Sequence, residues 1–233
     1  MNDRVAETIE RNGFAGPFRA VSAELIASIG ETIERRVLSS EGPMPGQPVQ
    51  SRHLDSPDVL ALCTHREIVE RIAAVLGPDI VLWRSNFFPK TPGAAELRWH
   101  RDAPHWGPIL QPMVNLSAWL AIDPSTRMNG CVNVIPGSHH REYAATGEDN
   151  KFVEVAAEEA SEAVPMELAP GEFFIFNQDL VHSSSANVSQ ARRLGLAMRY
   201  TLPSVVVNHN AIFAGHRSIP LRVEKSKGVN ALI

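Results

Sequence analysis

In the first third of the chain, apolar residues return at helical spacing. Leu25, Ile29, Ile33 and Val37 fall four apart within "VSAELIASIGETIERRVL", which predicts an amphipathic helix with Ser22 as its N-cap. A second helix is predicted from about Ser56 to Leu76, with Val59, Leu60, Ile68, Ile72 and Val75 as its apolar positions and Gly77-Pro78 as its stop. Between them, "SSEGPMPGQPVQ", residues 39 to 50, carries prolines and glycines that sustain neither a helix nor a central strand. It is expected to be a loop, one able to close over a pocket.

From residue 79 the pattern changes to short β-branched and aromatic runs, "IVLWRSNFF", "VNLSAWLAI", "CVNVI", "EFFIF" and "LGLAMRYT", separated by "PKTPGA", "DPSTRMNG", "PGSHH" and "APGE". Short strands with turns at this pitch predict a sandwich or barrel rather than a parallel sheet with crossover helices. Residues 140 to 163 are charged and alanine-rich and should form a surface excursion or short helix. One domain is expected: a helical buttress over about 1–78, a strand-rich core over about 79–203 and a tail over 204–233. The tail segment "SIPLRVEKSKGVNALI" is suited to pack on its own domain or on a partner, and the pattern fixes no oligomeric state.

Composition keeps this picture and narrows the partners. The 233 residues are 44% hydrophobic and 21% charged, enough for a sizeable core, and a formal net charge of -4 offers no basic footprint for a phosphate backbone. Small-molecule chemistry is therefore favoured over nucleic-acid binding. The opening "MNDRVAETIERNGF" lacks the apolar centre of a signal peptide, and no run of about 18 apolar residues occurs, so no membrane association and a cytoplasmic location are expected. Cys63 and Cys131 stand apart and outside any CxxC pattern, and read as core or strand residues.

The stretch "LRWHRDAPHW" concentrates the candidate chemistry. On a strand, positions i and i+2 share a face, so His100 and Asp102 would present an imidazole and a carboxylate side by side. Two histidines and one carboxylate on one face of an octahedron leave three positions open, which asks for a third ligand from another strand. His182, just after the apolar run "EFFIF", fits that place. His53 and His65 lie in the helical third, His209 and His216 in the tail, and His139 and His140 after the "PGS" turn, all outside the strand pattern. His105 is a pocket residue or a structural one. Arg193, eleven positions beyond His182, could clamp a carboxylate through paired hydrogen bonds, and Ser184 could add a hydroxyl to it.

"WHRDAPHWG", "AWLAIDPSTRMNGCVNVIPGSHH" and "PGEFFIFNQDLVHSSSANVSQARRLGLAMRYT", in this order over most of residues 80 to 202, resemble the phytanoyl-CoA dioxygenase family of iron(II)- and 2-oxoglutarate-dependent oxygenases. The resemblance implies a mainly β fold with flanking helices, a double-stranded β-helix or jelly roll. It implies His100, Asp102 and His182 as ligands of Fe(II), Arg193 as the partner of the distal carboxylate of 2-oxoglutarate, and O2 as the oxidant. By the same resemblance Trp119 borders the cosubstrate, although core packing explains it equally well, and Asn86 faces the same region. Related halogenases carry glycine or alanine in place of the carboxylate, so Asp102 favours hydroxylation or a related oxidation over chlorination.

For the substrate, Trp99, His105 and Trp106 suggest a pocket with aromatic walls and one polar handle. Arg84, Lys90, Arg98, Arg101 and Arg141 are either solvated surface charges or a cluster at the mouth that holds an anionic group. A small metabolite or natural-product intermediate is expected. Two rival readings stand beside this one: a cupin-like isomerase or hydrolase that needs no keto acid, and a non-catalytic binding module on the same scaffold.

Overall fold

The computed structural model describes residues 2–148, 151–224 and 228–231. Helix α1 (Asn2–Asn12) leads into strand β1 (Phe14–Arg19) and helix α2 (Ala23–Thr32), which widens into a π-helical turn over Ile33–Leu38. Ser22 caps α2 as its sequence predicts, its Oγ accepting from the Leu25 N–H. The buried stripe is Ile26, Ile33 and Val37, while Leu25 is 51% exposed. Ile29, Ile33 and Val37 thus pack inward as their spacing predicts, and only Leu25 faces out, its place taken by Ile26.

The second predicted helix is two, α3 (Pro57–Cys63) and α4 (Arg66–Leu76). Thr64 ends α3 by returning its hydroxyl to the Leu60 carbonyl, and His65 turns to an extended conformation before α4 begins. Gly77, at φ 94°, closes α4 as expected.

Strands β2 (Asp79–Lys90) and β3 (Leu97–His100) follow, then the single turn α5 (Ala103–Trp106), the two-residue β4 (Leu110–Gln111), β5 (Leu116–Ala121) and β6 (Val132–Val134). The charged excursion holds β7 (Ala145–Thr146), β8 (Phe152–Val153) and α6 (Ala157–Ser161); its residues 149–150 lie outside the described residues. The chain returns through β9 (Val164–Met166), β10 (Glu172–Asn177), β11 (His182–Ser184) and β12 (Arg193–Thr201). It finishes with β13 (Val206–Val207), β14 (Ile219–Glu224) and β15 (Gly228–Ala231).

Two larger antiparallel sheets result, one in the order β1-β10-β5-β12-β2-β14-β15 and one in the order β3-β11-β6-β9, beside the two-stranded pairs β13-β4 and β7-β8. Mainly β with flanking helices, as the resemblance implies, this is the jelly-roll arrangement. The segment read as a tail is part of the wall, because Ile219–Arg222 pairs with β2. The helical third contributes a strand too, β1, hidden in the sequence by the glycine and proline of "FAGPFR".

Register along the large sheet sorts its side chains. Leu194, Leu196, Met198 and Tyr200 of β12 join Leu116, Ala118 and Leu120 of β5 and the helices in the main core. Arg193, Gly195, Ala197 and Arg199 point the other way, toward the small sheet. Burying both faces explains why every residue of β12 is buried. Residues 39 to 50 do not close over this interior. Buried Arg52 ties them down by donating to the carbonyls of Val37 and Pro48 while pairing with Asp55, and Val49 accepts from the Phe87 N–H at the rim of β2.

Candidate metal centre

His100 closes β3, His182 opens β11, and the two are direct cross-strand partners. Their ring centroids lie 4.1 Å apart. With Asp102 they place three ligand-capable atoms within 4.8 Å of one another, and each of the three residues is 8% exposed. Asp102 arrives by another route than strand alternation. The strand stops at His100, and Asp102 adopts helical angles (φ -76°, ψ -36°) at the entrance to α5, held by its N–H donating to the Gln178 carbonyl.

Both imidazoles are oriented by the backbone. The Nδ1 of His100 lies 2.8 Å from the Arg98 carbonyl, and the Nδ1 of His182 lies 2.9 Å from the Leu180 carbonyl. A carbonyl only accepts, so each Nδ1 carries a hydrogen and Nε2 is the ring nitrogen left to bind a metal. Burial, with His182 beside it, pushes the His100 pKa down to about 3, so that ring is neutral, the form a metal needs. Neutral nitrogens, one carboxylate and absent thiolates suit a divalent ion such as Fe(II).

A cavity of about 460 Å³ opens over the triad, walled by Phe88, Trp119, Val132, Phe174, Phe176 and Ala197. At one end Arg193, 5% exposed, lays its guanidinium 5.2 Å above the Trp119 ring and leaves its Nε buried without a partner. The indole can lie there because residue 195 is glycine: a Cβ at that position would fall 2.0 Å from Trp119 Cζ2. Lys90, the cross-strand partner of Arg193, brings a second cation. Its Nζ donates to the Ser184 hydroxyl at 2.9 Å, and that hydroxyl donates in turn to the Gly130 carbonyl. Ser184 therefore holds the ammonium, with its own hydrogen already engaged. Burial, and then repulsion from Arg193, lowers the Lys90 pKa to about 8. A buried guanidinium with no hydrogen-bond partner at Nε, beside a buried ammonium, could hold a carboxylate.

Other sequence expectations require correction. Asn86 lies across from Ala197 on the site-facing side of β2, yet it is no part of the cavity wall, and its buried Oδ1 has no partner. Arg98 is outside because β3 carries an extra residue: His182 pairs with His100 but Ser184 with Leu97, so Leu97 faces inward and Arg98 stacks outward, 4.8 Å over the Phe152 ring. Trp106 is buried against Trp83 rather than lining the cavity, and it supports the Arg199 guanidinium at 4.9 Å. His105 does line the cavity, 6.5 Å from His100. Of the supposed mouth cluster, Arg141 pairs with Glu159, Arg101 lies 6.0 Å from Tyr143, and Lys90 belongs to the base beside Arg193. The sequence reading puts Lys90 at the mouth and takes Arg199, with Arg192, as a solvated strand arginine; Arg199 is instead 6% exposed on the cavity wall, and its six-residue spacing from Arg193 along one strand was the available signal.

Residues 9–195 match the family model described as phytanoyl-CoA dioxygenase (PhyH). Dioxygenase lolE1 of Epichloe uncinata is 28% identical over 148 residues, 64% of this chain and 56% of that protein. The chain spans little more than half the length of the first curated relatives it matches, 56 to 60%. Among solved structures, the apo non-heme monooxygenase ThoJ superposes with a TM-score of 0.76 at 26% identity, covering 87% of this chain and 79% of that one. CytC3 with Fe(II) and alpha-ketoglutarate superposes at 0.71 and 27%, covering 88% and 78%. No described helix is long and apolar enough to cross a membrane.

Proposed function

The chain belongs to the phytanoyl-CoA dioxygenase family, and from that premise we propose that it is an Fe(II)- and 2-oxoglutarate-dependent oxygenase that hydroxylates a small organic molecule. The observation that carries this reading is the pairing of two sites in one cavity: the His100–Asp102–His182 triad, and the Arg193–Lys90 base with an orphaned buried donor. An isomerase or hydrolase without a keto acid would have no use for the second. CytC3, similar over most of this chain, has been solved with Fe(II) and alpha-ketoglutarate, which supports the same cofactor pair here.

In this reading the Nε2 atoms of His100 and His182 and the Asp102 carboxylate hold Fe(II). Arg193 and Lys90 hold the distal carboxylate of 2-oxoglutarate. Bound together, metal, keto acid and O2 supply the oxidation, releasing succinate and CO2 and delivering oxygen to a substrate C–H bond. The protein supplies position and exclusion. Trp119, kept flat over Gly195, fixes one wall, and Phe88, Phe174 and Phe176 keep the interior dry, which strengthens every charged contact inside it. His105, on α5 with its ring 6.5 Å from that of His100, is a polar group of the cavity wall able to orient a substrate.

Anaerobic addition of Fe(II) and 2-oxoglutarate should produce the weak visible charge-transfer band of the chelate, and His182→Ala should abolish it. Arg193→Gln should weaken 2-oxoglutarate binding at least tenfold while leaving metal binding intact. Absence of the band in the unmodified protein rejects the reading.

A further inference from the structure

The site-facing side of the large sheet has a second basic pair. Arg84 and Arg199 are directly opposed on β2 and β12, at the far end of the same face as Lys90 and Arg193. Like charges directly across a sheet destabilise it, and burial adds to the cost. Yet Arg199 is only 6% exposed, and its Nε and Nη1 have no hydrogen-bond partner. The Arg84 Nε is likewise buried and alone, and that residue's one side-chain bond goes to the neutral Gln50 amide oxygen. Among the described residues the only carboxylate acting on either guanidinium is Asp102, a member of the triad.

Arg199 is also held in place. Its guanidinium rests 4.9 Å from the Trp106 ring and 6.0 Å from the Phe88 ring, and it forms part of the cavity wall together with His105. A flat cation held beside aromatic rings on a cavity wall, with none of its donors paired to a carboxylate, matches planar or tetrahedral oxyanions. Charge balance sharpens the point. A divalent metal at the triad would be offset by Asp102 and by the near carboxylate of a keto acid, leaving Arg84 and Arg199 without a counter-charge.

We propose, resting on the oxygenase reading above, that Arg199, on the cavity wall, is the receiving group for an oxyanion carried by the substrate, a carboxylate, phosphonate or phosphate, with Arg84 opposite it and off the cavity lining adding only its positive field. The substrate is then bound with its anionic end at Arg199 and its target carbon over the triad. Neutral esters or amides of the same molecules are poor substrates.

Sulfate serves as the probe, titrated by calorimetry at constant ionic strength into protein saturated with Mn(II) and 2-oxoglutarate. The unmodified protein should bind one sulfate per chain. Arg199→Gln should weaken that binding at least tenfold and Arg84→Gln severalfold, with Arg199→Lys retaining most of it and 2-oxoglutarate affinity staying within threefold throughout. Failure of the unmodified protein to bind sulfate, or equal binding by Arg199→Gln, overturns the proposal. A parallel tenfold loss of 2-oxoglutarate affinity in Arg199→Gln also overturns it, giving the guanidinium to the keto acid instead. If Mn(II) and 2-oxoglutarate do not bind the unmodified protein, the oxygenase reading fails separately. The anion site is then read by titrating sulfate into Arg193→Gln, where Arg199→Gln must still remove it.

Discussion

Lys90 shows what a single side chain contributes when its neighbours set its charge. Its pKa is pulled from 10.5 to about 8 by burial and by Arg193, whereas a carboxylate bound beside it favours the ammonium and pulls it up again. Binding of 2-oxoglutarate then takes up a proton above pH 8. Affinity should be flat below that point and fall above it by up to about tenfold per pH unit, as calorimetry between about pH 7 and pH 9.5 will read. Lys90→Met should flatten the profile. At Gly195 the constraint is steric: Gly195→Ala drives a methyl into the Trp119 indole and should cost about 1–3 kcal/mol in urea denaturation, with weakened 2-oxoglutarate binding. The triad was legible residue by residue because its spacing and flanking apolar runs are local. The partnership of Lys90 with Arg193 was not, since it exists only through the pairing of β2 with β12, residues 103 apart (193 minus 90).

Elements explain why several correct patterns led to displaced details. Strand alternation predicted that His100 and Asp102 would face together. They do, but by a strand giving way to a helical turn, which no count of two could foresee. Arg98 was misplaced by one extra residue in β3, and "FAGPFR" concealed an edge strand, because bulges and strand edges tolerate residues that argue against strands. The loop at 39–50 was recognised as a loop and misjudged as a lid, since its anchor, Arg52, lies beyond it in sequence. Arg52→Ala should free the carbonyls of Val37 and Pro48 and strand Asp55, costing about 3 kcal/mol or more. Chemical denaturation checks that loss, and the affinity of the folded variant for Mn(II) should be unchanged.

At the scale of the whole molecule, the proposed ligands tie the two sheets together. His100 and His182 stand on the small sheet, Arg193 and Lys90 on the large one. Metal and keto acid should therefore stabilise the entire sandwich: at one hundred times Kd each ligand adds about 2.7 kcal/mol. That corresponds to roughly 5–10 °C in Tm for a chain of this size. Differential scanning calorimetry with Mn(II) and 2-oxoglutarate should show the gain, EDTA should remove it, and His182→Ala should lack it. Mainly β character was readable in advance because strand pitch and turn chemistry repeat along the chain, and the jelly roll came from the family resemblance. Which strands flank which was not legible, since it rests on pairings between distant segments.

The extra residue in β3 has a mechanical consequence. With two residues instead of one between the inward-facing Leu97 and His100, both Arg98 and Trp99 are free to grip from outside, Arg98 on Phe152 and Trp99 among Ile135, Val153 and Val181. Strand β8 thus splints the segment bearing the first imidazole, with Phe152 also reaching the cavity wall. Slackening that splint, as in Phe152→Ala, should blur the metal's coordination geometry while the barrel itself remains intact.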